Sequence, residues 1–256
     1  MNLFDQEQSI DITQEHNDNT SESWFQSLID TVYQTDCIQF MRQLPDASVQ
    51  LIVTDPPYQF ATHNVGTGGI MKDKKHLKKI RDSFGMDYNP VEYLEECYRL
   101  CQPFNGYFFC NIKTRSMYLK WAEEKKLVYE EHILYKTNPV PLHHVHFLRD
   151  KEYCVYMRRR GACFNGGLPY DYYRTIHKTS IGGVLTKWHE CQKPLDMIER
   201  LISVSSRPGE IVFDGYMGSN TVAIAARRLN RHYMGCELDR ERWDIGRLRL
   251  GQMELL

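Results

Sequence analysis

The chain has 256 residues, 42% hydrophobic and 25% charged, with 32 Lys and Arg against 33 Asp and Glu. That is enough for one large α/β core carrying a small insert. No run of 18 apolar residues exists to span a membrane as a helix, and no basic segment followed by an apolar stretch opens the chain as a secretory signal would.

Eight cysteines without a CxxC pair read as reduced, mostly buried thiols in a cytosol. The near-neutral total hides an asymmetry. Residues 1–30 hold Asp5, Glu7, Asp11, Glu15, Asp18, Glu22 and Asp30 and no base, which leaves 26 acids against 32 bases in the remainder. Residues 1–26 are expected to be a disordered acidic leader, and the mildly basic body, 27–256, suits a polyanionic partner.

In chain order, residues 31–35 read as a strand and 37–44 as an amphipathic helix. Residues 49–54 (VQLIVT) form a continuous apolar run, the signature of a parallel strand covered on both faces. Residues 59–90 are polar and Lys-rich, long for a loop, and so expected to be mobile or functional. A helix is expected over 90–102, opened by Pro90, then a strand at 106–112 and a helix at 116–126. Strands at 127–136 and 152–159 bracket the next connection, and residues 160–190 show little pattern. The alternation returns with a helix at 194–206, a strand at 210–214, a helix at 219–230, a strand at 232–238 and a helix at 239–250. Strand–helix alternation predicts a doubly wound, mostly parallel sheet with helices on both faces.

The strand at 49–54 runs into Asp55-Pro56-Pro57-Tyr58. Neither proline can donate to a sheet, and both fix φ near −65°, so the corner is preorganised where α/β sheets bind ligands. A carboxylate, a free proline carbonyl and an aromatic face together fit an amino-bearing nucleobase: two acceptors for the NH₂ and a ring to stack on. The same residues could also form a plain strand-terminating turn.

The second segment is EIVFDGYMGSNTVAIAARRL (210–229), a strand, a turn of small residues and a helix whose free N–H groups face the turn. It lacks the G-x-G-x-x-G spacing of dinucleotide sites. Glu237 ends the next strand, where an acid can accept from two ribose hydroxyls; Asp239 is the better candidate to cap the following helix.

These segments, with HECQKPLDMIERLI (189–202), resemble the S-adenosylmethionine-dependent DNA amino-methyltransferases of the N-4/N-6 type, in the order of the β class, over roughly residues 31–250. The resemblance implies a Rossmann-like class I methyltransferase fold with circularly permuted motif order. It implies a catalytic clamp of Asp55, Pro56, Pro57 and Tyr58. For the cofactor it implies Asp36 and Cys37 beside the adenine, Asp55, a loop of Asp214, Gly215, Tyr216, Gly218, Ser219, Asn220 and Thr221, the ribose ligand Glu237, and Gln192, Lys193 and Pro194 at the methionine end. S-adenosylhomocysteine would be the product, and no metal is implied. The family's usual Pro-Phe-x-Gly-Ser-Gly stands here as Gly215-Tyr216-Met217-Gly218-Ser219-Asn220, and a proline of its His-Pro-x-Gln-Lys-Pro is replaced by Glu190.

The family tends to place Asp at the first clamp position for adenine N6 and Ser for cytosine N4, so Asp55 points to adenine in DNA. Cytosine N4, adenine in RNA, and a silent nucleic-acid-binding subunit are the alternatives. Phosphate contacts are expected from Lys72, Lys74, Lys75, Lys78, Lys79 and Arg81 and from Arg158, Arg159 and Arg160. Residues 138–190 occupy the place of a short target-recognition insert. His143, His144 and His146 lack metal-ligand spacing and read as a polar surface cluster. Family members are often dimers, so a homodimer or a partner subunit is expected, in a prokaryotic or phage-like cytoplasm, with restriction–modification as the setting.

Overall fold

A computed structural model describes residues 18–57, 88–139, 147–180 and 192–252. Tyr58, the basic run 72–81 and the histidines at 143, 144 and 146 lie outside them. In chain order the elements are α1 (Asp18–Leu28), β1 (Thr31–Tyr33), α2 (Cys37–Met41), β2 (Leu51–Thr54), α3 (Pro90–Leu100), β3 (Asn105–Cys110), α4 (Ile112–Glu124), β4 (Val128–Lys136), β5 (Lys151–Arg158), a 3₁₀ turn (Tyr170–Tyr173), β6 (Ile176–Thr179), α5 (Leu195–Ser205), β7 (Ile211–Asp214), α6 (Thr221–Arg228), β8 (His232–Cys236) and α7 (Arg240–Gln252).

The strands form one eight-stranded sheet in the order β1-β8-β7-β2-β3-β5-β4-β6. All neighbours are parallel except where β5 pairs antiparallel with β3 and β4. Successive strand residues point to opposite faces, and both faces are covered. Ile52, Phe108, Phe213 and Met234 pack under α2, α3 and α4; Leu51, Val53, Tyr107, Phe109 and Val212 pack under α5 and α6. Two-sided burial is why β2 and β7 read as unbroken apolar runs.

Three features differ from the sequence reading. The expected disordered leader overlaps α1, whose Leu28 is buried and whose Trp24 and Phe25 pack on the core. Helix α4 starts four residues early because the Asn111 side chain accepts from the backbone N–H groups of Lys113 and Thr114, both at 3.0 Å. The weakly patterned 160–190 segment contributes the 3₁₀ turn and the edge strand β6. The seven described cysteines are unbridged and all but Cys163 are buried, in keeping with the mostly buried thiols expected.

Candidate active site

Because β1, β8, β7, β2 and β3 all run the same way, their C-terminal ends share one edge of the sheet. Four acids stand along it: Asp36 beyond β1, Glu237 beyond β8, Asp214 at the end of β7 and Asp55 beyond β2. Strands β8 and β2 are separated only by β7, so Glu237 and Asp55 lie about 10 Å apart across the sheet at ordinary strand spacing. In open α/β sheets this is the edge at which ligands bind.

Asp55 follows β2 and precedes the buried Pro56. Lys193, immediately before α5, places its ammonium against Asp55 Oδ2, with Glu152 Oε2 at 3.6 Å and the Phe109 ring centroid at 5.0 Å. Glu152 in turn pairs with Lys136. Burial pushes the Glu152 carboxyl up, but Lys193 and Lys136 outweigh it and hold the group below the ordinary carboxylate range. Gln192 and Pro194 flank Lys193, and the Pro194 carbonyl accepts from Ile198 N in the first turn of α5.

Asp214 is buried and accepts from Tyr216 N at 2.9 Å. Burial pushes its pKa up to about 7, against the hydrogen bonds from Tyr216 N and the Thr54 hydroxyl; nearby Asp55 and Glu237 add to the rise. Tyr93 donates to Thr54 Oγ1 at 3.0 Å and closes the back of the turn. A Cβ at Gly215 would lie 2.7 Å from the Tyr93 hydroxyl, so the family's proline has no room here. Gly218 takes φ +50°, a conformation glycine adopts without penalty. Its N–H donates to Glu237 Oε2 at 2.8 Å, while Asp239 N donates to Oε1 at 2.9 Å. Burial raises the Glu237 pKa against these two donors. Asp239 caps α7 as expected, accepting from Arg242 N.

Other expected residues take different roles. The Asp36 side chain caps α2 by accepting from Gln39 N. Cys37 is buried, and burial pushes its thiol up to about 12 despite its hydrogen bond with Tyr216. The Tyr216 ring packs edge-on against Tyr88 and Tyr93 in the core. Asn220 is left-handed at φ 58°, with its amide buried against Gly246 and without a hydrogen-bond partner.

Three contributors escaped the sequence reading. Arg249 of α7 is buried behind the loop and donates to the Ser219 carbonyl at 2.7 Å and to Thr221 Oγ1 at 2.8 Å. Glu152 brackets Lys193, and Tyr93 backs Gly215. Gly246, a glycine inside a helix, leaves the space that the Asn220 side-chain amide occupies.

Arg158, Arg159 and Arg160 are not brought to this edge. Arg158 pairs with Asn105, at the opposite end of β3 from Cys110, about 17 Å away at the usual strand rise. Arg158 also lies over the Phe164 ring, and Arg159 contacts the Tyr98 hydroxyl. The antiparallel course of β5 carries this basic cluster away from Asp55.

Comparison with known proteins agrees with the geometry. A family model described as DNA methylase matches residues 49–247. The type II methyltransferase M1.MboII of Moraxella bovis is 26% identical over 266 residues, covering 89% of this chain and 98% of that one. The type II methyltransferase M.HpaI of Haemophilus parainfluenzae is 26% identical over 237 residues, covering 84% and 72%. The fold is similar to that of M1.HpyAVI, with a TM-score of 0.63 at 23% identity over 86% of this chain and 98% of that one. It is also similar to the cytosine-N4-specific PvuII DNA methyltransferase, with a TM-score of 0.64 at 15% identity over 86% and 85%.

Proposed function

The chain belongs to the DNA methylase family, and from that membership we propose that it transfers a methyl group from S-adenosylmethionine to the exocyclic N6 amine of adenine in DNA. The observation that supports this reading is the common edge: Asp55 and Glu237 follow parallel strands two apart, so the two acids proposed to serve the base and the cofactor stand at one end of the sheet.

The donor set fits the cofactor. Each Glu237 oxygen takes one backbone N–H and keeps further acceptor capacity for a ribose diol. The left-handed Gly218 carries no side chain that would block backbone approach. Asp214, the 215–221 loop and Glu237 would hold the cofactor, with the backbone of Asp36 and Cys37 at its adenine. When bound, S-adenosylmethionine supplies a methyl carbon made electrophilic by its sulfonium.

The residues of the corner act on the amine. An aromatic amine is a weak nucleophile because its lone pair is delocalised into the ring. Accepting its two hydrogens at Asp55 and at the Pro56 carbonyl favours a pyramidal nitrogen with a localised pair. The prolines hold these acceptors in place, and orientation of this kind is worth up to roughly 7–11 kcal/mol in the best cases. As the nitrogen gains positive charge, the same acceptors stabilise it. Transfer would break the S–CH₃ bond as the N–CH₃ bond forms, giving S-adenosylhomocysteine, and the surplus nitrogen proton, acidic only then, would pass to Asp55 or to water, so Asp55 needs to accept a hydrogen bond rather than act as a strong base. Tyr58, next in the sequence, is the residue proposed to stack on a base drawn out of the duplex, which would return part of the few kcal/mol that leaving the stack costs. The basic run 72–81, which follows Tyr58, is assigned to phosphate contact.

Asp55→Ala tests the clamp. Methyl transfer to DNA should fall below detection, while the cofactor dissociation constant, measured by calorimetry, stays near the wild-type value. Unaltered turnover would contradict the assignment.

A further inference from the structure

Lys193 was expected at the methionine end of the cofactor. Its side chain, only 10% exposed, instead reaches the Asp55 carboxylate, with Glu152 on its other side and the Phe109 ring beneath. We propose that Lys193 is a positioning residue, whose ammonium fixes the Asp55 carboxylate before a base enters and is itself held by Glu152 and Lys136. The proposal rests on the methyl-transfer reading.

The argument is one of charge and anchoring. A carboxylate at the end of a strand can rotate even when the backbone behind it is stiff, and a charge-assisted bond to one oxygen removes that freedom. An ammonium in a dry site is costly unless it is paired on every side that water has left. Here Glu152 of β5 supplies the second partner, and Lys136, the last residue of β4, holds Glu152. The Lys136 N–H also donates to the Asp150 carbonyl at 2.7 Å, tying the two strand ends together. The chain Asp55–Lys193–Glu152–Lys136 therefore joins the end of β2 to the paired ends of β4 and β5. Charge follows the same logic. Lys193 alone would cancel Asp55 and oppose an amine that is turning cationic. Glu152 offsets Lys193 and Lys136 offsets Glu152, so the four-residue chain as a whole is neutral.

The test compares wild type, Lys193→Met, Lys193→Arg and Glu152→Gln as full-length protein. It measures single-turnover methylation of DNA at saturating S-adenosylmethionine, cofactor affinity by calorimetry, and melting temperature. Lys193→Met should lose about 100-fold in rate, the scale of a slightly misplaced reacting group, with cofactor affinity within about threefold of wild type. That split marks an interaction felt after binding. Lys193→Arg should recover most of the rate. Lys193→Met reaching the wild-type rate once cofactor saturates, with affinity weakened, would return Lys193 to cofactor binding and overturn the proposal; so would a variant unaffected in both. If Lys193→Met does not fold, Glu152→Gln decides: a lower rate at unchanged affinity supports the proposal, and an unchanged rate overturns it. A wild-type chain that transfers no methyl overturns the methyl-transfer reading itself, whereas a working wild type with an unaffected Lys193→Met overturns this inference alone.

Discussion

Asn220 occupies a left-handed position, φ 58° and ψ 30°, where the family places glycine. Its amide turns away from the crevice into the space over Gly246, where a Cβ would meet the amide at 2.7–2.9 Å. The two residues therefore fit as a pair: the asparagine fills what the helical glycine leaves open. The fit is imperfect, because both amide atoms lack partners, a defect that costs about 1–3 kcal/mol. Asn220→Gly should leave stability level or raised, and Gly246→Ala alone should lower it by roughly 1–3 kcal/mol through overpacking. The double variant should recover that loss, giving clear non-additivity in denaturant unfolding; additive effects would contradict the pairing. Asp214 makes a second prediction at this scale. Its folded pKa is raised to about 7, so the stability it contributes is complete at low pH and lost as pH rises through 7. Asp214→Asn keeps the group neutral throughout. Its advantage in unfolding free energy over wild type should grow by about 2 kcal/mol from pH 5.5 to 7 and then level off.

At the scale of elements, β2, β7 and β8 were legible because two-sided burial writes itself as an apolar run. Strand β6 was not, because in Ile-His-Lys-Thr only His177 is buried. Besides its parallel ladder with β4, a polar chain anchors this edge strand. Arg200 can only donate, so His177 accepts at Nδ1, carries its proton on Nε2 and donates to His132 Nδ1 at 2.9 Å. The arrangement needs both rings neutral. Burial and Arg200 lower their pKa values, to about 4 for His132 and about 3 for His177, where His132 lowers it further. For a depressed base the stabilisation is present above the unfolded pKa near 6.5 and is lost as pH falls toward the folded value. The melting temperature should therefore decline from pH 6.5 to 4, and a His132→Leu/His177→Leu variant should show a flatter decline; identical slopes would remove the pair from the account. Strand direction also escaped the sequence. Arg158–Arg160 were read by charge alone, and only the antiparallel course of β5 shows that they end far from Asp55.

For the whole molecule, the site was legible where a single strand ends in a single acid: Asp55, Asp214 and Glu237 each close an apolar run. It was illegible where distant segments meet. Lys193 and Asp55 are 138 positions apart, and Arg249 reaches Ser219 from 30 positions away; neither pairing leaves a periodic trace. The fold brings these pieces to one edge of one sheet, and the account depends on that edge presenting an amine-binding corner opposite a cofactor cradle. Among the described residues no helix is long and apolar enough to cross a membrane. The most direct measurement is mass spectrometry of nucleosides from DNA incubated with the purified chain and S-adenosylmethionine. The account predicts N6-methyladenine with wild type and none with Asp55→Ala. N4-methylcytosine in its place, or N6-methyladenine undiminished in the variant, would contradict it.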